Sequence, residues 1–230
     1  MQYKRPLKLE NEGIILIDKP KGITSHDVVD VVRKRFKTKR VGHAGTLDPL
    51  AEGLLILLLG KCTKLFSKFA NFDKEYTGIL KLGEVTTTGD SQGEIIRKDD
   101  WKGISEEGVR ETFSLFLGAI DQIPPMVSAL RVKGKRLYNL ARRGIVVERL
   151  PRKIKILSLE VLKIDFPLVE FRVRCSKGTY VRKLAEDIGD KLGCGAHMVK
   201  ILRLSIGPFK LEKAVALDEV NESHLQQITI

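Results

Sequence analysis

The chain is poor in the residues that would close it covalently or hold a metal: only three cysteines, Cys62, Cys175 and Cys194, occur in 230 residues. Their number is odd, no C-x-x-C pair is present and no histidine stands at metal-ligand spacing, so neither a disulfide framework nor a zinc knuckle is readable. A reducing cytoplasm fits that usage. Long apolar runs are also missing. The longest, Leu54 to Leu59, is far short of the roughly 20 residues of a membrane span. The N-terminal stretch MQYKRPLKLENEG has no apolar region of the secretory kind. Neither a Pro- or Ser-rich linker nor a repeat interrupts the sequence. The expectation is one continuous, soluble and unprocessed unit, cytoplasmic, without membrane contact.

What the chain has in excess is positive charge. Forty-one Lys and Arg stand against twenty-nine Asp and Glu, a formal net charge of +12, which favours a polyanionic partner such as nucleic acid. Six of the eight residues from Arg33 to Arg40 are cations. Further basic residues gather at Lys133, Lys135, Arg136, Arg142 and Arg143, and again at Arg149, Arg152, Lys153 and Lys155. One such cluster is an ordinary solvated helix end; three point towards RNA or DNA.

Hydropathy patterning predicts a mixture of strands and helices. Gly13–Asp18 reads as a strand, and Ser25 as the cap of a helix with Val28, Val29, Val32 and Phe36 inward. Residues 41–53, with three glycines, read as a loop. Tyr76–Leu82 and Val169–Cys175 alternate as half-buried antiparallel strands. Ser105 precedes a helix carrying Val109, Phe113 and Leu117, Gly134 one that ends at Gly144, and Thr179 caps one carrying Val181, Leu184, Ile188 and Leu192. Without strict β-α-β alternation, the expected class is α+β, a mixed and largely antiparallel sheet with flanking helices.

The most unusual stretch is G-H-A-G-T-L-D-P-L-A-E-G, Gly42 to Gly53, in which glycines permit tight turns around one carboxylate. Asp48 followed by Pro49 reads plainly as an N-cap with proline in the first helical position. Read as chemistry, a lone aspartate suits a nucleophile or an electrostatic stabiliser better than a two-metal site, Glu52 being the only acid near it in sequence. His43 is a loop histidine or a surface that positions an aromatic ligand. Tyr76 by default belongs to the core. Arg182 by default is exposed, although a cation in the first turn of a helix opposes the dipole and hints at an anionic partner.

Four blocks, in order, carry a resemblance beyond spacing: L-I-D-K-P-K-G-I-T-S-H-D-V-V from Leu16, the block around Asp48, P-P-M-V-S-A-L-R-V-K-G-K-R-L-Y-N-L-A-R-R-G from Pro124, and C-S-K-G-T-Y-V-R-K-L-A-E-D-I-G from Cys175. From about Gly13 to Leu217 the chain resembles the B family of transfer-RNA pseudouridine synthases. The resemblance implies a pseudouridine synthase fold and isomerisation of the uridine at position 55, in the TΨC arm of tRNA, with no cofactor and no metal. It implies Asp48 as the catalytic aspartate, Arg182 as its paired arginine and Tyr76 as the tyrosine packed on the target base. It also implies His43, Tyr180 and Ile201 as substrate contacts; Arg40 and Lys64, as basic residues, are expected to hold the RNA backbone. Many relatives carry a small C-terminal RNA-binding domain of the PUA type; the expectation here is a single catalytic domain, residues 1–230, without it. Four positions depart from the family pattern: Thr87 stands for an aspartate, Val127 for a tyrosine, Arg131 for a lysine and Ile201 for the usual leucine. A noncatalytic RNA-binding or RNA-folding protein on the same scaffold is the alternative, since it needs the basic clusters but not the Asp-Tyr-Arg set. No obligate protein partner is readable.

Overall fold

The computed structural model describes residues 12–228, apart from 129, 133 and 142. Strands β1 (Gly13–Lys19), β2 (Val41–Ala44) and β3 (Glu52–Leu59) alternate with helix α1 (Ser25–Arg35). Helix α2 (Phe66–Ala70) then leads to β4 (Lys74–Leu82) and the hairpin β5 (Glu84–Thr86) and β6 (Ile95–Lys98). Helix α3 (Glu106–Ser114), β7 (Gly118–Gln122), the short hairpin β8 (Arg131–Val132) and β9 (Lys135–Arg136), and helix α4 (Leu137–Ala141) follow. The chain closes with β10 (Arg152–Asp165), β11 (Leu168–Cys175), α5 (Val181–Lys191), β12 (Ala196–Ile206), β13 (Phe209–Lys210) and β14 (Val215–Ala216).

Ten strands make one sheet, ordered β14-β1-β3-β12-β4-β11-β10-β7, with β2 on β3 and β13 on β12. Among the described residues only the β1–β14 and β3–β12 pairs are parallel, so the class is the α+β arrangement expected. The apolar run of β3 is continuous because both its faces are covered. Leu55, Leu57 and Leu59 pack with Val28, Val29 and Val32 of α1, while Leu54, Ile56 and Leu58 pack with Phe69 and Ile206. Strands β4 and β11 alternate instead, because one face carries the core beneath α3 and α5 and the other faces water.

Several boundaries differ from those expected, each for a local reason. Thr24, not Ser25, caps α1, in a capping box closed by Asp27; Ser25 is drawn into a tertiary contact described below. The stretch 41–53 is not all loop, since 41–44 and 52–53 are strand held by pairing to β1 and β3. Ser105 does cap α3, but the helix stops at Ser114, and Leu117 lies beyond it, 47% exposed. Only Leu137–Ala141 of the stretch between Gly134 and Gly144 is helical. Thr179 spends its hydroxyl on the Ser176 carbonyl, so Tyr180 is the cap residue of α5 and makes no side-chain cap. Of the basic residues, Lys133 and Arg142 lie outside the described residues.

One glycine is fixed by packing. Gly53 has φ +97°, and a Cβ there would stand 2.5 Å from the Arg203 carbonyl oxygen and 2.9 Å from its nitrogen, because β3 meets β12 at this point in parallel register. Gly53→Ala is expected to destabilise the protein by about 2 kcal/mol or more in urea unfolding. Gly103→Ala, where nothing lies within 4 Å, should stay within about 1 kcal/mol of the parent. Equal midpoints for the two variants would contradict the close approach.

Candidate active site

The loop from Gly45 to Ala51 is held by side chains that bond its backbone. Ser25, 2% exposed, accepts from the Leu47 N–H at 2.8 Å and donates to the Leu47 carbonyl at 3.1 Å. Gly22 N–H donates to the Pro49 carbonyl at 2.8 Å. From the other side Arg203, 1% exposed, donates to the carbonyls of Leu54 at 2.7 Å, Gly45 at 3.1 Å and Thr46 at 3.4 Å. The Ala51 N–H closes on the Asp48 carbonyl at 3.0 Å. Asp48 therefore heads a tight turn with proline second; it does not cap a helix, and its carboxyl is free for other use.

That carboxyl meets Arg182. The arginine is 3% exposed, against the default expectation for its helix position. Its Nε donates to Asp48 Oδ2 at 2.7 Å, one terminal nitrogen to the Thr88 carbonyl at 2.5 Å, and the other to the Val127 carbonyl at 2.8 Å. A second carboxylate is also present: Asp90 Oδ2 stands 3.7 Å from the same Nε, with Thr88 Oγ1 and the Gln92 N–H donating to Asp90 Oδ1. Asp48 is thus not a lone acid. The Asp48 side chain keeps 36% of its surface exposed while Asp90 keeps 6%. Asp48 opens on the cleft; Asp90 is the buried counter-charge.

The cleft above Asp48 has a volume of about 250 Å³ and is lined by Tyr76, Tyr180, Arg182, Ile201, Ser128 and Lys74, among others. Tyr76 and Ile201 reach it from neighbouring strands. β12 carries irregularities at Met198/Lys200 and Arg203/Ser205, and between them Ile201 pairs with Gly78 and Arg203 with Tyr76, on the cleft side. Tyr76 is 8% exposed, and burial raises its phenol above the ordinary range, so it stays neutral. Tyr180 is fixed by its backbone. Its N–H donates to Gln122 Oε1 at 2.8 Å and its carbonyl accepts from Gln122 Nε2 at 3.1 Å. Five predicted residues, Asp48, Tyr76, Tyr180, Arg182 and Ile201, are therefore brought together.

Three others are not in this lining. His43 sits on β2 opposite Leu57, half-buried, its Nδ1 without a partner among the described residues. Burial, then the charge of Arg203, lowers its pKa to about 4. Arg40 and Lys64 are exposed, and the Arg40 carbonyl accepts from Gly60 N–H at 2.9 Å, next to the 3₁₀ turn Gly60–Leu65 that carries Lys64. Among the described residues no three His, Cys, Asp or Glu side chains gather as a metal site, and no helix is long and apolar enough to cross a membrane.

Residues 33–181 match the family model described as TruB family pseudouridylate synthase, N-terminal domain. The chain belongs to that family. Residues 182–228 match the model for the tRNA pseudouridylate synthase B C-terminal domain; the join falls inside α5, and both parts share one sheet. A tRNA pseudouridine synthase B of Clostridium tetani is 49% identical over 95% of this chain and 75% of its own. One of Opitutus terrae is 45% identical over 95% and 91%. Among solved structures, a Cbf5-Nop10-Gar1 complex is similar with a TM-score of 0.72 and 33% identity, over 94% of this chain and 56% of that one. An H/ACA RNP bound to a substrate RNA containing 2′-deoxyuridine follows at 0.69 and 31%, over 94% and 55%. This chain thus spans little more than half of those solved chains.

As a TruB family member the chain departs from the pattern mostly at harmless places. Thr87 is exposed on the β5–β6 hairpin, where its hydroxyl accepts from Glu94 N–H. Val127 contributes its carbonyl, which any residue supplies. The Arg131 side chain lies outside the described residues. The site roles of Asp90, Arg203, Ser25, Gln122 and Lys19 escaped the sequence reading, although Lys19 and Ser25 stand in the first of the family blocks. Lys19, fully buried, donates to the carbonyls of Pro20 and Ile23 at 2.8 Å each, and burial lowers its pKa to about 8.

His43 supplies a measurement. Between pH 6.5 and about 4 the unfolded chain binds a proton that the folded one refuses, so this residue makes the fold less stable as pH falls through that window. NMR of the imidazole should give a midpoint near 4, and His43→Gln should flatten the acid side of the stability curve. A midpoint above 6 would contradict a desolvated ring.

Proposed function

We propose that the chain isomerises uridine to pseudouridine in tRNA, at position 55 of the TΨC stem-loop, acting in the cytoplasm as one catalytic unit built over the described residues. The observation that carries the reading is the Asp48–Arg182 contact at 2.7 Å on the floor of a cleft walled by Tyr76, Tyr180 and Ile201, in a chain of this family. The reaction breaks the N1–C1′ bond, turns the base, and forms a C5–C1′ bond. It is redox-neutral and requires neither water nor a phosphoryl donor.

Each residue has a physical task in that sequence. A uridine inside a folded arm hides its C1′, so it must leave the stack at a cost of a few kcal/mol. Tyr76 and Ile201 offer flat apolar surface for the extruded base, and Tyr180 borders it. Arg182 holds Asp48 Oδ2 and stabilises the negative charge, leaving Oδ1, which accepts no hydrogen bond from the described residues, for the substrate. Arg40 and Lys64, exposed beside each other's elements, suit phosphates, and His43, neutral at pH 7, suits a stacking contact and not a charged one.

Asp48→Asn is expected to remove turnover while leaving RNA affinity within a few-fold. The amide keeps the shape, and the buried Arg182 retains Asp90 and two carbonyls. Pseudouridine is located in unmodified tRNA by chemical modification and primer extension. Product at the same position from the Asn variant at more than a few per cent of the parent rate would sink the assignment of Asp48. A parent that binds tRNA and makes no product would favour the noncatalytic alternative. Arg182→Lys should lower turnover at least about tenfold, because a point charge replaces a fork serving three acceptors.

A further inference from the structure

One polar group in the cleft has no task so far. Ser128 lies between β7 and β8, beside Val127, and is 5% exposed where it lines the cleft with Asp48, Tyr76 and Tyr180. Its backbone is fixed on both sides. The N–H donates to the Met126 carbonyl at 3.0 Å, and the carbonyl accepts from Tyr138 N–H at 3.1 Å. The hydroxyl, by contrast, has no hydrogen-bond partner among the described residues. Burying a hydroxyl in that condition is unfavourable, and alanine would fill the same position without the penalty. A residue that weakens the free protein at the wall of a binding cleft is accounted for by what the cleft binds.

We propose that Ser128 is a substrate-binding residue whose hydroxyl takes the polar edge of the extruded uracil. This rests on the reading of the cleft as a uridine site. Uracil has two apolar faces, which suit Tyr76 and Ile201, and an edge of two carbonyl acceptors and one N–H donor. A hydroxyl both donates and accepts and rotates freely about its bond, so it pairs with either kind of group. The same property serves a base that turns between bond cleavage and bond formation, since the edge group facing a fixed point changes on the way. The neighbouring polar groups do not duplicate the role: Gln122 is used by the Tyr180 backbone, and Thr179 donates to Ser176.

The test compares the parent with Ser128→Ala and Ser128→Thr, using the whole chain and an unmodified tRNA transcript, with three readouts: the single-turnover rate of pseudouridine formation, the dissociation constant, and the urea midpoint of the free protein. For Ser128→Ala the rate is expected to fall about tenfold. Affinity should stay within about twofold, because phosphate contacts dominate RNA binding, and the urea midpoint should be unchanged or higher. Ser128→Thr, which keeps the hydroxyl, should recover most of the rate. Three results overturn the contact: an alanine variant as fast as the parent, a lower urea midpoint, which would reveal a structural partner, or weakened affinity at unchanged rate, which would place the hydroxyl on the RNA backbone. A parent that forms no pseudouridine sinks the functional reading and this contact with it; an active parent matched by Ser128→Ala sinks the contact alone.

Discussion

A guanidinium buried to 3% exposure must be paired with charge and with acceptors, and the arrangement around the cleft follows from that requirement. Arg182 begins α5, where the helix dipole disfavours a cation. It is compensated by acceptors from three separate segments: the turn at Asp48, the loop after β5 with Thr88 and Asp90, and the stretch after β7 with Val127. None of these can shift without orphaning part of a buried charge, and breaking such a set costs about 3–5 kcal/mol. The same set explains how a carboxylate that keeps a third of its surface exposed is still oriented. The cation is rigid, and the exposed group is aligned to it.

A second layer of order comes from side chains that bond to backbone as another strand would. Ser25 pairs with both polar groups of Leu47, and Gln122 with both of Tyr180. Arg203 caps three carbonyls on either side of the Asp48 turn. Loops carry unpaired backbone groups, and a loop at a cleft cannot solvate them freely. Meeting them with side chains from α1, β7 and β12 ties the loop to rigid elements, which is what a site that must hold a reacting atom in place demands.

The contrast between what the sequence exposes and what it hides follows the same division. The alternation of β4 and β11, the uniform apolarity of β3 and the inward faces of α1 and α5 are local patterns, and they were legible. Caps failed where a hydroxyl was taken by another carbonyl: Ser25 by the distant Leu47 and Thr179 by Ser176 just before it, leaving the capping to Thr24 or to no side chain. The short strand β2 was hidden because pairing to β3, not its own glycine-bearing sequence, makes it a strand. At the site, the residues reached through family blocks were named, whereas Arg203 and Gln122 were not. Nothing in the local sequence marks an arginine or a glutamine as buried, and their partners lie 149 and 58 residues away.

Charge at the cleft has two scales. Exposed cations such as Arg40 and Lys64 act on any polyanion at a distance, but salt screens them over about 8 Å. The buried cations are spared that screening. Lys74, whose Nζ donates to the Ala70 and Phe72 carbonyls, and Lys19 are both lowered by burial to a pKa of about 8, so each remains mostly cationic at pH 7. With Arg203 and Arg182 they place positive charge around the Asp48 carboxylate, which opens into the cleft. Phosphates of a polyanion near that carboxylate would repel it; the fixed cations beside it offset such repulsion, their donors committed to carbonyls and, for Arg182, to Asp48 itself. Surface charge thus acts on a polyanion at long range, and buried charge sets the field immediately around the Asp48 carboxylate.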